Sequence, residues 1–202
     1  MHPIVVTITG ASGVLYGQRL LQELIRSKIP IQLSISESGQ KVLHHELGID
    51  IDLKNFELST LLPDFDTAGA DVSYHHYKDF MTPIASGSFQ TTAMVVCPCS
   101  GSTLSGIAAA ASGNLIQRAA DVHLKEKRPL ILVPRETPLS LLQIRNLETV
   151  ATAGATILPA SPGFYHGYQN VDDLVNFIVA RILDHLHIEH DLIRRWGKSD
   201  LS

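Results

Sequence analysis

The sequence predicts an α/β fold, a three-layer, Rossmann-like, doubly wound parallel sheet. Two observations carry the prediction. Runs such as Ile4-Val5-Val6-Thr7-Ile8 and Leu130-Ile131-Leu132-Val133 are apolar at nearly every position, the pattern of strands buried on both faces between layers of helices. These runs alternate along the chain with stretches whose apolar residues recur at helical spacing. With 202 residues, the chain has room for one domain, taken as 1–202 with a polar tail over about 187–202.

The elements follow in order. The opening strand ends at Gly10-Ala11-Ser12-Gly13, after which Val14, Leu15, Leu20, Leu21, Leu24 and Ile25 mark a helix. Ile31, Leu33 and Ile35 alternate as a second strand, followed by a helix around Gln40 to Leu47. Residues 50 to about 80 hold Pro63, Asp64, Asp66, His75, His76 and Lys78 without periodicity, and read as a surface connection with short helical pieces. Met94 to Cys99 is a buried strand, followed by a helical region interrupted near Gly113 as a pair or a kink. After the Leu130–Val133 strand, Leu141, Leu142, Ile144, Leu147 and Val150 outline a helix that stops at Gly154. Thr156-Ile157-Leu158 is a further strand, and Leu174, Ile178, Ile182 and Leu186 belong to the closing helix, ahead of a tail that contains Trp196.

Composition excludes several function classes. Lys and Arg number 16 against 20 Asp and Glu, so no basic surface is expected for nucleic acid or an acidic membrane. Cys97 and Cys99 flank Pro98, too close for an unstrained disulfide, which suits a reducing compartment. The first residues run straight into a strand instead of a signal peptide, and no apolar run approaches the ~20 residues of a membrane span. A cytoplasmic location is expected.

In a doubly wound sheet, ligands bind beyond the carboxyl ends of the strands. The turn Gly10–Gly13 opens a helix, whose N–H groups and dipole attract an anion. Ser36-Glu37-Ser38 reads as a helix cap. The turn after the third buried strand places the hydroxyls of Ser100, Ser102 and Thr103 around Gly101 at another helix start, a denser anion cradle. The two cysteines lack partners for a metal set, so no metal is expected. In Pro134-Arg135-Glu136-Thr137-Pro138, Arg135 suits phosphate and Glu136 suits proton transfer, with an ion pair between them as the bland alternative. Arg118 and Lys125 share one helix face, which is ordinarily solvated. Arg181, among Ile178, Val179, Ala180, Ile182 and Leu183, needs an anionic partner or a route to water. His44, His45, His75, His76, His185, His187 and His190 read as surface residues.

Taken together, Gly10-Ala11-Ser12-Gly13, Ala85-Ser86-Gly87-Ser88, Cys97-Pro98-Cys99-Ser100 with Thr103-Leu104-Ser105-Gly106, Arg118-Ala119-Ala120-Asp121, Leu124-Lys125-Glu126 with Arg128-Pro129-Leu130, Pro134-Arg135-Glu136-Thr137-Pro138 and Pro162-Gly163-Phe164-Tyr165-His166 form an ordered set. The set resembles the UbiX-type flavin prenyltransferases, over residue 4 to Trp196. The resemblance implies transfer of a dimethylallyl group from dimethylallyl monophosphate to N5 and C6 of reduced FMN. It implies that the product, prenylated FMN, serves a UbiD-type decarboxylase, that a separate flavin reductase supplies reduced FMN, and that the chain assembles as a homododecamer with sites between subunits. By the same resemblance, Gly10, Ala11, Ser12, Ser36, Ser100, Gly101, Ser102, Thr103, Arg118 and Arg135 hold FMN, with Ser12 close to N5. Lys125, Arg135, Tyr165 and Arg181 gather at the prenyl phosphate, joined by Ser86 and Gly87. Glu136 transfers a proton, and Glu46 and Trp196 match further active-site positions. Glu37 stands where many relatives carry Lys.

Three rivals remain at this point. A short-chain dehydrogenase would use Gly10–Gly13 with Gly17, Glu37 and a Tyr74-x-x-x-Lys78 pair, but that pair lies too early in the chain and in an aperiodic segment. An FMN-dependent cysteine decarboxylase would share the fold. A non-catalytic flavin carrier would have no use for Glu136 with Lys125 and Arg181.

Overall fold

The structure, a computed structural model, describes residues 2–165 and 167–194; Trp196 and His166 lie outside the described residues. Six strands form one sheet: β1 (Ile4–Ile8), β2 (Ile31–Ile35), β3 (Val72–Tyr74), β4 (Ala93–Cys99), β5 (Leu130–Pro134) and β6 (Thr156–Ile157). Their order is β3-β2-β1-β4-β5-β6 and every pairing is parallel. The order reverses between β1 and β4, the point where the crevice of a doubly wound sheet opens.

Helices α1 (Val14–Arg26), α2 (Glu37–Leu47), α3 (Leu58–Leu61), α4 (Gly101–Ala108), α5 (Leu115–Lys125), α6 (Leu141–Thr152) and α7 (Val171–His185) cover the sheet. Side chains of β1, β4 and β5 alternate between two cores, as the two-residue period of a strand demands. Val6 and Ile8 face a core shared with Leu20, Leu24, Ile178 and Ile182 of α1 and α7. Val5, Met94 and Val96 face the other, with Leu104, Leu115 and Ala119 of α4 and α5. Glycine sets the depth of the first layer. A Cβ at Gly17 would lie 2.4 Å from the Cys97 carbonyl oxygen, so α1 rests directly on β4.

The 50–80 segment departs from the sequence expectation of a surface connection. Val72–Tyr74 adds an edge strand, and Ile51, Leu53, Leu61 and Leu62 are core residues. The segment is apolar enough to cover one sheet face, but its contacts are long-range and leave no period to read. The interruption near Gly113 resolves into two helices, α4 and α5. On α6 the apolar residues do not all turn inward: Leu141, Leu142 and Ile144 are exposed and Val150 alone is fully buried.

Arg181 is not buried among its apolar neighbours. Its side chain is 49% exposed and pairs with Asp184 at 2.8 Å on the same helix, because the buried stripe of α7 runs through Val175, Ile178, Val179, Ile182 and Leu183 and leaves position 181 on the outer side. Two of the histidines read as surface residues are not free there. His75 is half-buried against Gln32, and the His190 ring is buried beside Asp184. No helix among the described residues is long and apolar enough to cross a membrane.

Candidate functional site

The carboxyl ends of β1, β2, β4 and β5 bring four turns together. Thr9 joins two of them: its hydroxyl donates to the Pro98 carbonyl at 2.7 Å and accepts from Ser100 N–H at 2.8 Å. The first turn also touches the second, since a Cβ at Gly10 would lie 2.3 Å from Ser38 Cβ. Ser36 caps α2 by accepting from Gly39 N–H at 3.0 Å, as its sequence context suggests.

The first turn is partly closed from within the chain. The Glu46 carboxylate, from the last turn of α2, accepts from Gly13 N–H at 2.9 Å and Val14 N–H at 3.2 Å. An internal carboxylate therefore takes two of the N–H groups at this helix start, and it fixes the turn carrying Ala11 and Ser12. The start of α4 is more open. Ser100 Oγ accepts from Thr103 N–H and lies within 3.1 Å of the Ser102 and Thr103 hydroxyls, while the N–H groups of Gly101 and Ser102 have no intrahelical acceptor.

Arg135 and Glu136 complete this end of the sheet, and they do not form an ion pair with each other. Arg135 Nε is buried with no hydrogen-bond partner in this chain, a donor that costs free energy unless an acceptor from outside the chain meets it. Glu136 accepts from Thr137 N–H at 3.1 Å and from Gln143 Nε2 at 3.2 Å. The Gln143 carbonyl in turn accepts from Ser140 N–H at 2.8 Å, so both ends of its amide are committed and the amino group must face Glu136. A Cβ at Gly101 would come within 3.3 Å of Gln143 and 4.0 Å of Glu136, placing the carboxylate against the α4 cradle. Arg135, Glu136 and Thr137 line a cleft of about 140 Å³ with Leu139, Pro159 and Ser161.

Sequence reasoning passed over two residues here. Gln143 was detectable as the fourth member of the Ser140-x-x-Gln143 capping box. Tyr16 feels the Arg135 charge, while burial, the larger effect, pushes its phenol above the usual range; no local motif announces it. Cys97 and Cys99 are fully buried free thiols, and burial pushes Cys99 up to about 12, so both stay neutral packing groups. Among the described residues no cluster of His, Cys, Asp or Glu could hold a metal.

Other expected site residues lie elsewhere. Lys125 ends α5 just ahead of β5, at the amino end of the sheet, and Ser86 and Gly87 precede β4 at that same end. Lys125 Nζ lies 3.6 Å from Glu126 Oε1, and a Cβ at Gly87 would meet that same oxygen. Arg118 is exposed on α5. Arg181 lies ten residues into α7, on the opposite face of the sheet from α5. Tyr165 follows β6 and is exposed, its ring edge-on to Phe177 at 5.8 Å. One copy therefore brings together Gly10–Ser12, Ser36, Ser100–Thr103, Arg135 and Glu136, but not Lys125 with Arg181.

Comparison with known proteins places this arrangement. The flavoprotein family model matches residues 1–183. The flavin prenyltransferase UbiX of Halalkalibacterium halodurans is 48% identical over 96% of this chain and 92% of its own length. A crystal structure of AnUbiX in complex with FMN and dimethylallyl pyrophosphate covers 98% of this chain and 99% of that one, with 36% identity and a TM-score of 0.87. A dodecameric FMN-dependent UbiX-like decarboxylase from Escherichia coli O157:H7 covers 96% and 99%, with 37% identity and a TM-score of 0.85. The family model, the near full-length identity and the shared fold agree, and the chain belongs to the UbiX flavin prenyltransferases of the flavoprotein family.

Proposed function

We propose that this chain joins a dimethylallyl group, from dimethylallyl monophosphate, to N5 and C6 of reduced FMN. The observation that carries this reading is the pairing, at the switch point, of a built anion cradle with a held proton carrier. Ser100, Ser102, Thr103 and the buried, unpartnered Arg135 Nε suit the flavin phosphate, and Glu136, oriented by Gln143, suits proton transfer beside it. Gly10, Ala11, Ser12 and Ser36 border the same space. Reduced flavin supplies the nucleophile. As N5 bonds to the dimethylallyl carbon, the carbon–oxygen bond breaks, phosphate leaves with the electron pair and the N5 proton passes to the phosphate. Closing the ring then adds a proton to the prenyl double bond, joins the resulting tertiary carbon to C6 and releases the C6 proton; Glu136 or the departing phosphate gives the one proton and takes the other.

Expelling phosphate without a metal requires cations. Lys125 and Arg181 supply them only from neighbouring copies, because in one chain they occupy the amino end of the sheet on opposite faces. Ser86, Gly87 and Arg118 reach a site by the same route. This supports a homododecamer, the state of the Escherichia coli relative. Glu46 completes the proposed site from its own chain, and Tyr165 is placed in it on the strength of the resemblance. Trp196 is proposed as a further contact on the strength of the resemblance alone.

The product serves a UbiD-type decarboxylase, and a separate reductase delivers the flavin. Two buried free thiols suit a reducing cytoplasm. The test is anaerobic incubation with reduced FMN and dimethylallyl monophosphate, followed by mass spectrometry of the extracted flavin. A gain of one isoprene unit is expected. Unmodified flavin, or uptake of NADP with no uptake of FMN, would overturn the reading.

A further inference from the structure

We propose that a buried hydrogen-bond chain, Arg128 to Thr91 to His123, is a positioning device that holds the Ser86–Ser88 loop against the end of α5. It thereby sets the donor-phosphate contacts of Ser86, Gly87 and Lys125. The inference rests on the functional reading above, in which this end of one copy completes a neighbour's site.

The chain has one direction. His123 is 1% exposed, and its Nδ1 lies 2.7 Å from the Ala119 carbonyl. A carbonyl only accepts, so Nδ1 carries the proton. Burial holds the ring neutral by disfavouring its charged form, which leaves Nε2 as an acceptor for the Thr91 hydroxyl at 2.9 Å. With its proton committed, Thr91 Oγ1 accepts from Arg128 Nη1 at 3.3 Å. The same guanidinium grips the loop, donating to the Phe89 carbonyl at 2.7 Å and to the Gly87 carbonyl at 2.6 Å.

The loop is seated from its other side as well. A Cβ at Gly87 would fall 2.2 Å from Glu126 Oε1, so the loop lies directly against the side chain that pairs with Lys125, and a larger residue at 87 would displace that carboxylate. Ser86 and Ser88 turn their hydroxyls to each other at 2.9 Å. Terminating α5 needs none of this. Lys127 at φ 56°, with Lys127 N–H bonded to Leu124 O and Arg128 N–H to His123 O, already closes the helix through the backbone. The Arg128 and Thr91 side chains are therefore left to order the loop.

The test uses the full assembly. Thr91→Val removes the hydroxyl while keeping the shape, Thr91→Ser keeps the hydroxyl, and Arg128→Lys keeps the charge without the fork. Thr91→Val and Arg128→Lys should each raise KM for dimethylallyl monophosphate about tenfold, the scale of a lost buried hydrogen bond. Turnover number and FMN affinity should change less than about threefold, amide exchange at residues 86–89 should quicken, and Thr91→Ser should restore KM. Unchanged donor KM and unchanged exchange in either variant would overturn the proposal, as would a parallel loss of FMN affinity and melting temperature with KM unmoved. A wild-type protein that transfers no prenyl group would refute the functional reading instead, and the exchange rates would still decide whether the chain orders the loop.

Discussion

Removing the Glu46 carboxylate tests whether a residue the resemblance places in catalysis also builds the site. Glu46 supplies an acceptor for Gly13 N–H and Val14 N–H at the start of α1, two of the donors that a helix leaves unsatisfied. Each bond to a charged acceptor contributes roughly 1.5 kcal/mol at the low end of its range. The helix dipole adds about 0.3–1 kcal/mol, and water takes back part of the total because Glu46 is exposed. A net loss of about 1–2 kcal/mol is expected for Glu46→Ala, or roughly 3–6 °C in Tm for a chain of this length. Glu46→Gln keeps one acceptor oxygen and should lose about half as much. Thermal melts at a single protomer concentration, with FMN affinity and turnover measured on the same preparations, separate the roles. If the charge acts in the reaction, Glu46→Gln loses turnover out of proportion to its small Tm change. A Glu46→Ala protein melting within roughly 1 °C of wild type would refute the capping argument.

Glu136→Gln should retain FMN and lose turnover by about 10²–10⁴, the usual range for a positioned proton carrier; wild-type product formation would remove Glu136 from the mechanism. Activity should survive EDTA, and Arg181→Ala should bind flavin normally while losing prenyl transfer; restoration by magnesium after EDTA, or equal loss of FMN and donor binding in Arg181→Ala, would refute the cationic phosphate pocket. Replacing the monophosphate donor by the diphosphate, the ester bound in AnUbiX, should lower turnover, because Lys125, Arg135 and Arg181 match the charge of one phosphate. Burial depresses both His75 and His123, so the unfolded chain binds their protons first as pH falls below about 6.5. Stability should therefore fall between pH 7 and 5, by up to about 1.4 kcal/mol per pH unit for each histidine, and denaturant titrations of His123→Gln should show a shallower slope.

The sheet was legible because its central strands are buried on both faces, which forces apolar runs that no amphipathic helix produces. β3 was not, since Val72–Tyr74 has three residues on an edge and two histidines after it. Its pairing with β2 comes from tertiary position, which local sequence does not encode. The exposed Leu141, Leu142 and Ile144 show the converse limit: an apolar period establishes a helix without naming what covers it. The first turn was legible as a helix start; that two of its donors, Gly13 and Val14 N–H, are already taken was not. The acceptor that closes it, Glu46, comes from 33 residues away.

Chain order conceals which end of the sheet a motif occupies, although strand direction reveals it. In a parallel sheet, residues that follow a strand lie at its carboxyl end and residues that precede one lie at its amino end. Gly10–Ser12, Ser36, Ser100–Thr103 and Arg135–Glu136 follow strands; Ser86–Gly87 and Lys125 precede them. β4 has seven residues and spans about 20 Å, which no side chain bridges. If residues of both classes serve one phosphate, as proposed above, copies of the chain must meet amino end to carboxyl end, and the proposed reaction then depends on the assembly. Cations held by neighbours are released when neighbours part, while the flavin turns, tied by Thr9 and Glu46 within one chain, are not. On the proposed roles, most of the flavin residues belong to one protomer, while Arg118 and the cations Lys125 and Arg181 join them only from a neighbour.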